Sequence, residues 1–319
     1  MELVQKKKPT LKSLEFSDII LGEEWAFLKG VPGGEPLEPL DETEIADLSR
    51  LREVLGEHKE LEFSIEFDSV RYRVSRIEET VDGKCWYALR RAMQAVPSLE
   101  ELGFAKTYRG FLCSEKLRKG LIVFCGSMGS GKTTSASALV KKRLELYGGH
   151  AITLEDPPEM PLHGIHAQGL CLQKEIKDFG QGIVQSLRYG APEIIYLGEL
   201  RAPNDVSQAL RAAVNGHLLI ATIHAGSVIE AAQRIRSLGS AVDGGEVTQD
   251  LMSSGIAAFI HQRLRVDPQS GNKRLQVEFL RVVGEGCQSV RSHLKSGKLN
   301  QLGSAIMEQR NKALLGRKK

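Results

Sequence analysis

The chain has 319 residues, 41% of them hydrophobic and 26% charged, which is enough apolar material to bury a core in each of two domains. With 43 basic against 40 acidic side chains the net charge is +3. That balance excludes a global electrostatic case for nucleic acid or an anionic membrane as the main partner. The short basic runs Lys6-Lys7-Lys8 and Arg317-Lys318-Lys319 read as solvated ends. No apolar run approaches the ~20 residues needed to cross a bilayer. The polar start lacks a signal-peptide core, so the expected location is the cytoplasm. The 5 cysteines are widely spaced without a CxxC pair. They support neither a disulfide framework nor a zinc site and read as small apolar fillers.

Residues 10–105 read as a mixed α+β unit. Val31-Pro32-Gly33-Gly34-Glu35-Pro36 is turn-rich. Glu44 to Leu55 carries Ile45, Leu48, Leu51, Val54 and Leu55 at helical spacing. Leu61 to Ser75 alternates as two strands, with a hairpin turn expected at Asp68-Ser69. Trp86 to Met93 is a further strand candidate, and Pro97 to Gly103 starts a short helix and then a linker. These features place a domain boundary near Thr107, giving domains 1–107 and 108–319. Beyond it, Leu121-Ile122-Val123-Phe124-Cys125 is a continuous apolar run, the signature of a buried parallel strand. A glycine-rich loop follows, then a helix from Thr134 to Tyr147. Strands are expected at Ala151 to Leu154, Glu193 to Leu197 and Leu218 to Ile223. Helices are expected at Val206 to Val214 and Val228 to Ile235. This alternation implies a doubly wound α/β domain. Beyond Gly245 helices should dominate, interrupted by a strand at Leu275 to Val283.

The loop Gly126-Ser127-Met128-Gly129-Ser130-Gly131-Lys132-Thr133 fits GxxxxGK[ST] between a strand and a helix, the full context of a phosphate-binding P-loop. Its glycines let backbone N–H groups turn inward as a nest for phosphate oxygens, and the following helix adds its positive end. Lys132 should reach the β- and γ-phosphates of ATP. The hydroxyl of Thr133 should ligate Mg²⁺, a hard cation, and Thr134 closes the binding segment. Hydrolysis also needs a group that positions water and others that offset charge, expected at the carboxyl ends of the strands. Three segments qualify. Glu155-Asp156-Pro157-Pro158-Glu159 offers carboxylates suited to Mg²⁺ and water activation. Gly198-Glu199-Leu200-Arg201 puts a carboxylate at the end of an apolar strand, the Walker B arrangement. His217 and His224 bracket the strand Leu218 to Ile223; each is also compatible with a structural role.

In this order the motifs resemble the secretion ATPases of type II and type IV systems, and within them the PilT-type pilus-retraction and DotB-type type IVB secretion branches. The acidic box is Leu154-Glu155-Asp156-Pro157-Pro158-Glu159, the His box His217, Thr222 and His224, and Gln173-Lys174-Glu175-Ile176 is similar to a further family segment. Ser17-Asp18, Arg71-Tyr72-Arg73-Val74 and Glu100-Glu101-Leu102-Gly103 extend the resemblance into the first half. The resemblance implies a PAS-like N-terminal domain, a RecA-like ATPase domain with a helical tail, and a homohexamer acting on an inner-membrane platform of a pilus or secretion machine. It implies Glu159 as the base, Glu199 as support for Mg²⁺, Arg73, Arg90 and Arg188 as charge-offsetting groups, and His217 and His224 as nucleotide sensors. Two departures stand out. Val184 replaces the first of two arginines usual before Walker B, with one residue inserted in Tyr189-Gly190-Ala191-Pro192. The segment Ser289 to Ser296 keeps Arg291 and little else of the retraction enzymes' pattern. The tetracysteine element of the extension and type II branches is absent. Rival readings are a DNA-translocating P-loop motor, disfavoured by the near-neutral charge, and a nucleotide-gated scaffold without turnover, disfavoured by Glu159 and Glu199.

Overall fold

The computed structural model describes residues 8–41, 45, 47–266 and 273–315. Lys6, Lys7, the basic run at 317–319 and the expected helix start at Glu44 lie outside these residues. The chain divides into two compact units between Gln94 and Ala95.

Unit 1 contains β1 (Asp18–Leu21), β2 (Ala26–Lys29), β3 (Glu38–Pro39), α1 (Leu48–Gly56), β4 (Glu62–Phe67), β5 (Val70–Ile77) and β6 (Trp86–Arg91). The strands form one antiparallel sheet in the order β3-β2-β1-β6-β5-β4. Leu48, Leu51 and Leu55 fall on one side of α1 and are buried in a core with Ile19, Leu21, Tyr72, Val74 and Leu89. Asp68 and Ser69 take positive φ angles of 51° and 63°, as a two-residue hairpin between right-twisted strands requires. β1 to β3 are short and flanked by turn residues, so no sequence pattern marks them.

Unit 2 contains α2 (Lys106–Leu112), β7 (Gly120–Gly126), α3 (Lys132–Tyr147), β8 (Gly149–Glu155), β9 (Gly164–His166), β10 (Gly169–Glu175), α4 (Phe179–Tyr189), β11 (Ile194–Leu197), α5 (Pro203–Val214), β12 (Leu218–His224), α6 (Val228–Asp243), α7 (Gly245–Gly255), β13 (Ile256–Val266), β14 (Lys273–Arg281), α8 (Gln288–Lys295) and α9 (Leu302–Leu315). Its 8-stranded mixed sheet has the order β14-β13-β7-β12-β11-β8-β10-β9. The strands from β13 to β10 run parallel, while β14 and β9 are antiparallel edges. Buried apolar side chains lie on both faces, which is why β7, β11 and β12 read as unbroken apolar runs.

Two expectations are corrected. The division falls after Gln94, not near Thr107, because Val96, Leu99 and Phe104 are buried with Leu112 and Phe124 in the core of unit 2. Beyond Gly245 helices do predominate and the expected strand appears as β14, but a second strand interrupts them: β13 starts at Ile256 and pairs with the central β7. The run Ile256-Ala257-Ala258-Phe259-Ile260 is buried completely, so its pattern has no polar face to separate strand from helix.

Candidate functional site

Parallel strands bring their carboxyl ends to one edge of the sheet. There, in lateral order, stand Gln262 after β13's pairing with β7, Gly126 ending β7, His224 ending β12, Gly198-Glu199 after β11, and Glu155 ending β8. The glycine-rich loop rises from this edge into α3. Gly131 takes φ +85° immediately before the helix, a left-handed turn that glycine adopts without strain. Gly126 is required for a different reason. A Cβ there would lie 2.4 Å from Ser130 Oγ and 2.5 Å from the Gln262 carbonyl oxygen. Gln262, itself buried, donates from Nε2 to Ser135 Oγ at 2.9 Å, tying β13 to the first turn of α3. Gln262 is not legible as a site residue in the sequence, because β13 itself is not.

The Lys132 ammonium is buried and donates to the carbonyl oxygens of Gly126 (3.1 Å) and Ser127 (2.9 Å), and it lies 3.4 Å from His224 Nδ1. Desolvation pushes Lys132 below the usual lysine range, and the carboxylates of Glu199 and Glu159 oppose that shift. His224 Nε2 is 3.4 Å from Glu199 Oε1. The other Glu199 oxygen, Oε2, accepts from Arg201 Nε at 2.9 Å, with Arg201 Nη2 also at 2.9 Å. Lys132, His224, Glu199 and Arg201 therefore form one continuous line of charged and polar groups. Thr222 steadies it: its hydroxyl donates to the Gly198 carbonyl at 2.5 Å, and its own carbonyl accepts from Leu200 N at 2.8 Å. Arg201 closes the segment Gly198-Glu199-Leu200-Arg201, but nothing in the sequence signals its pairing with Glu199.

The acidic box splits into different environments. Glu155 is buried, and desolvation raises its carboxyl above the ordinary range. Hydrogen bonds from Thr153 Oγ1 (2.7 Å) and Gln173 Nε2 (2.9 Å) oppose that shift. Asp156 and Glu159 are exposed.

The structure does not bring all candidates together. His217 precedes β12 and stands at the amino edge of the sheet, bordering an open cleft of about 400 Å³ with Arg118, Tyr147 and Glu193. His224 ends the same 7-residue strand, roughly 20 Å away at ~3.3 Å per residue. Arg188 is exposed near the end of α4, and Gly190 just after it packs beside His150 at the start of β8. Within one chain, then, neither His217 nor Arg188 joins Lys132. Arg73 and Arg90 belong to unit 1, where they face each other across β5 and β6. Both are exposed, and Arg90 Nε donates to Asp18 Oδ1 at 2.9 Å.

The family described as Type II/IV secretion system protein matches residues 52–318. The chain belongs to this family. This secretion-family chain is 31% identical over 303 residues to the uncharacterized protein YggR of Escherichia coli, covering 91% of this chain and 88% of YggR. It is 31% identical over 236 residues to the type IV pilus ATPase PilU of Pseudomonas aeruginosa, covering 72% of this chain and 59% of PilU. Among solved structures, the pilus retraction motor PilT with bound ADP superposes with a TM-score of 0.76 at 26% identity, over 92% of this chain and 86% of that one. The Legionella pneumophila ATPase DotB shares the fold, with a TM-score of 0.70 at 23% identity over 90% of this chain and 83% of that one.

Proposed function

We propose that the chain is a Mg²⁺-dependent ATPase motor that works as a homohexamer at the cytoplasmic face of the inner membrane, driving a type IV pilus or type IV secretion machine. The enzyme class is ATP hydrolase. The observation that carries this reading is the line Lys132–His224–Glu199–Arg201 at the carboxyl edge of the sheet, beside the glycine-rich loop. The relatives agree with it: PilU is a pilus ATPase and PilT a retraction motor seen with ADP. Among the described residues no helix is long and apolar enough to cross a membrane, so attachment to an inner-membrane platform would run through partner proteins.

In this reading unit 2 is a RecA-like ATPase domain and unit 1 a PAS-like domain. The nucleotide phosphates lie on the backbone of Gly126 to Thr134 and draw the Lys132 ammonium from the carbonyls of Gly126 and Ser127. The residues present suit a hard cation and its phosphate. Ser130 Oγ is buried in the loop without a hydrogen-bond partner among the described residues, and Thr133 and Glu199 offer hard oxygens. Thr133 and Glu199 would hold Mg²⁺, which supplies charge neutralisation on the phosphates. Glu159 orients and deprotonates the attacking water. His224, 3.4 Å from both Lys132 and Glu199, reports whether those groups face nucleotide or each other. Arg73 and Arg90, paired across β5 and β6, are the groups assigned to offset γ-phosphate charge. Arg188 and His217 enter only through a neighbouring copy. Phosphate release by the purified chain and by Glu159→Gln, with particle mass by light scattering, tests the reading. Turnover by a hexamer that is lost in the variant supports it. Turnover by a monomer, or undiminished turnover by the variant, overturns it.

A further inference from the structure

Glu159 sits in a loop between β8 and β9, and as an exposed side chain it is not fixed in place by burial. A general base must nevertheless be held within a fraction of an ångström of its productive position. The means of holding it lies on the neighbouring strand β10. Gln173, opposite Thr153 in the β8–β10 pairing, spends its whole side-chain amide on this loop. Nε2 donates to Glu155 Oε1 (2.9 Å) and to the Met160 carbonyl (2.9 Å). Oε1 accepts from the N–H groups of Leu162 (3.0 Å) and His163 (2.8 Å). Two donors and two acceptors exhaust what a glutamine amide can do. The partners fall on both sides of Glu159 in the chain: one is Glu155 before it, the others are Met160, Leu162 and His163 after it. The Gln173 main-chain N–H adds a fifth bond, to His163 Nδ1 at 3.2 Å.

We propose that Gln173 is the positioning residue of the catalytic loop, clamping it shut on both sides of Glu159 so that this carboxylate is presented to the attacking water. The inference rests on the reading of Glu159 as the base. No other amino acid offers the same four bonds at the same reach. Asparagine is one methylene too short to span Glu155 and Leu162. Glutamate lacks the donors and would set a second carboxylate against buried Glu155. Methionine keeps the length and removes every polar contact. None of the five bonds touches the glycine-rich loop, so the clamp acts on the chemical step and leaves phosphate binding alone.

The test compares Gln173→Met with the unaltered chain in Mg²⁺-dependent phosphate release and in binding of a fluorescent ADP. The expected result is a kcat lower by roughly 10- to 100-fold, the size typical of lost orienting contacts, with ADP affinity within about threefold, the margin that untouched loop contacts allow. Gln173→Asn, the smaller perturbation, should show the same split. Gln173→Glu adds a signature that simple loosening lacks. Its turnover should recover partly as pH falls and the carboxyl regains a proton to donate, whereas Gln173→Met gains nothing. Unaltered kcat in Gln173→Met and Gln173→Asn, an equal loss of kcat and ADP affinity, or identical pH profiles for the Met and Glu variants would each overturn the inference. Glu159→Gln is assayed alongside. If it is inactive while Gln173→Met is active, the clamp is refuted and the base stands. If Glu159→Gln turns over normally, the base reading fails and the clamp inference falls with it.

Discussion

Replacing Gly126 by alanine asks whether the glycine-rich loop is held as tightly as the structure shows. The added methyl carbon would meet Ser130 Oγ at 2.4 Å and the Gln262 carbonyl oxygen at 2.5 Å. The serine hydroxyl can rotate, but the carbonyl is backbone of β13, which is laced to β7 through Ile260–Phe124 and His261–Cys125. Relief therefore requires β7 and β13 to part, or the loop to lift. Overpacking of this kind costs about 1–3 kcal/mol. At roughly 2–4 °C per kcal/mol for a domain the size of unit 2, the Tm should fall by about 2–12 °C. Gly129 is the matched control. It has φ +72° and nothing within 4 Å of its Cβ, so Gly129→Ala suffers backbone strain without a clash, about 1–2 kcal/mol. Thermal unfolding gives the stability, and titration with fluorescent ADP gives the loop geometry. We expect Gly126→Ala to weaken ADP at least about tenfold, since a 1.4 kcal/mol disturbance of the nest is enough for that. A Tm and an ADP affinity both equal to those of the unaltered chain would refute the packing argument.

Three further outcomes follow from the same geometry. Gln262→Leu strands Ser135 Oγ and should lower stability by about 1–3 kcal/mol with weaker ADP binding, read by the same two assays. Arg201 is 61% exposed, so its ion pair with Glu199 adds at most about 1 kcal/mol to stability. Arg201→Ala should leave the Tm nearly unchanged yet slow phosphate release by about tenfold as Glu199 loses its anchor. Glu155 is raised from its ordinary value of 4.5 by burial, so the folded chain holds its proton more tightly than the unfolded chain. Its contribution to stability is complete below 4.5 and is lost as pH rises through the raised value. The Tm of the unaltered chain minus that of Glu155→Gln should therefore fall as pH climbs above 4.5, and a flat or rising difference contradicts the shift.

The strand, loop and helix from Gly120 to Tyr147 were legible because burial on both faces, glycine spacing and helix onset agree within one short segment. The Asp68-Ser69 hairpin was legible for a similar reason, since turn residues interrupt a clear alternation. β13 was not: Ile256 to Ile260 is short, apolar and wholly buried, and only its pairing with β7 makes it a strand. The positions of His217 and Arg188 were equally hidden. Motif order places residues along the chain, but strand direction decides which edge they reach, and β12 carries its two histidines to opposite edges. Gln173, Gln262 and Arg201 escaped as site residues because a single polar residue on a strand looks solvated until its partners are known.

Whether the chain hydrolyses ATP through the glycine-rich loop is decided by steady-state phosphate release from ATP, with and without Mg²⁺, by the unaltered chain and by Lys132→Ala. Mg²⁺-dependent turnover is expected, and Lys132→Ala should lose it by about 100-fold or more, because Lys132 is the group proposed to take the phosphate charge. No turnover by the unaltered chain under hexamer-forming conditions, or equal turnover by Lys132→Ala, would contradict it.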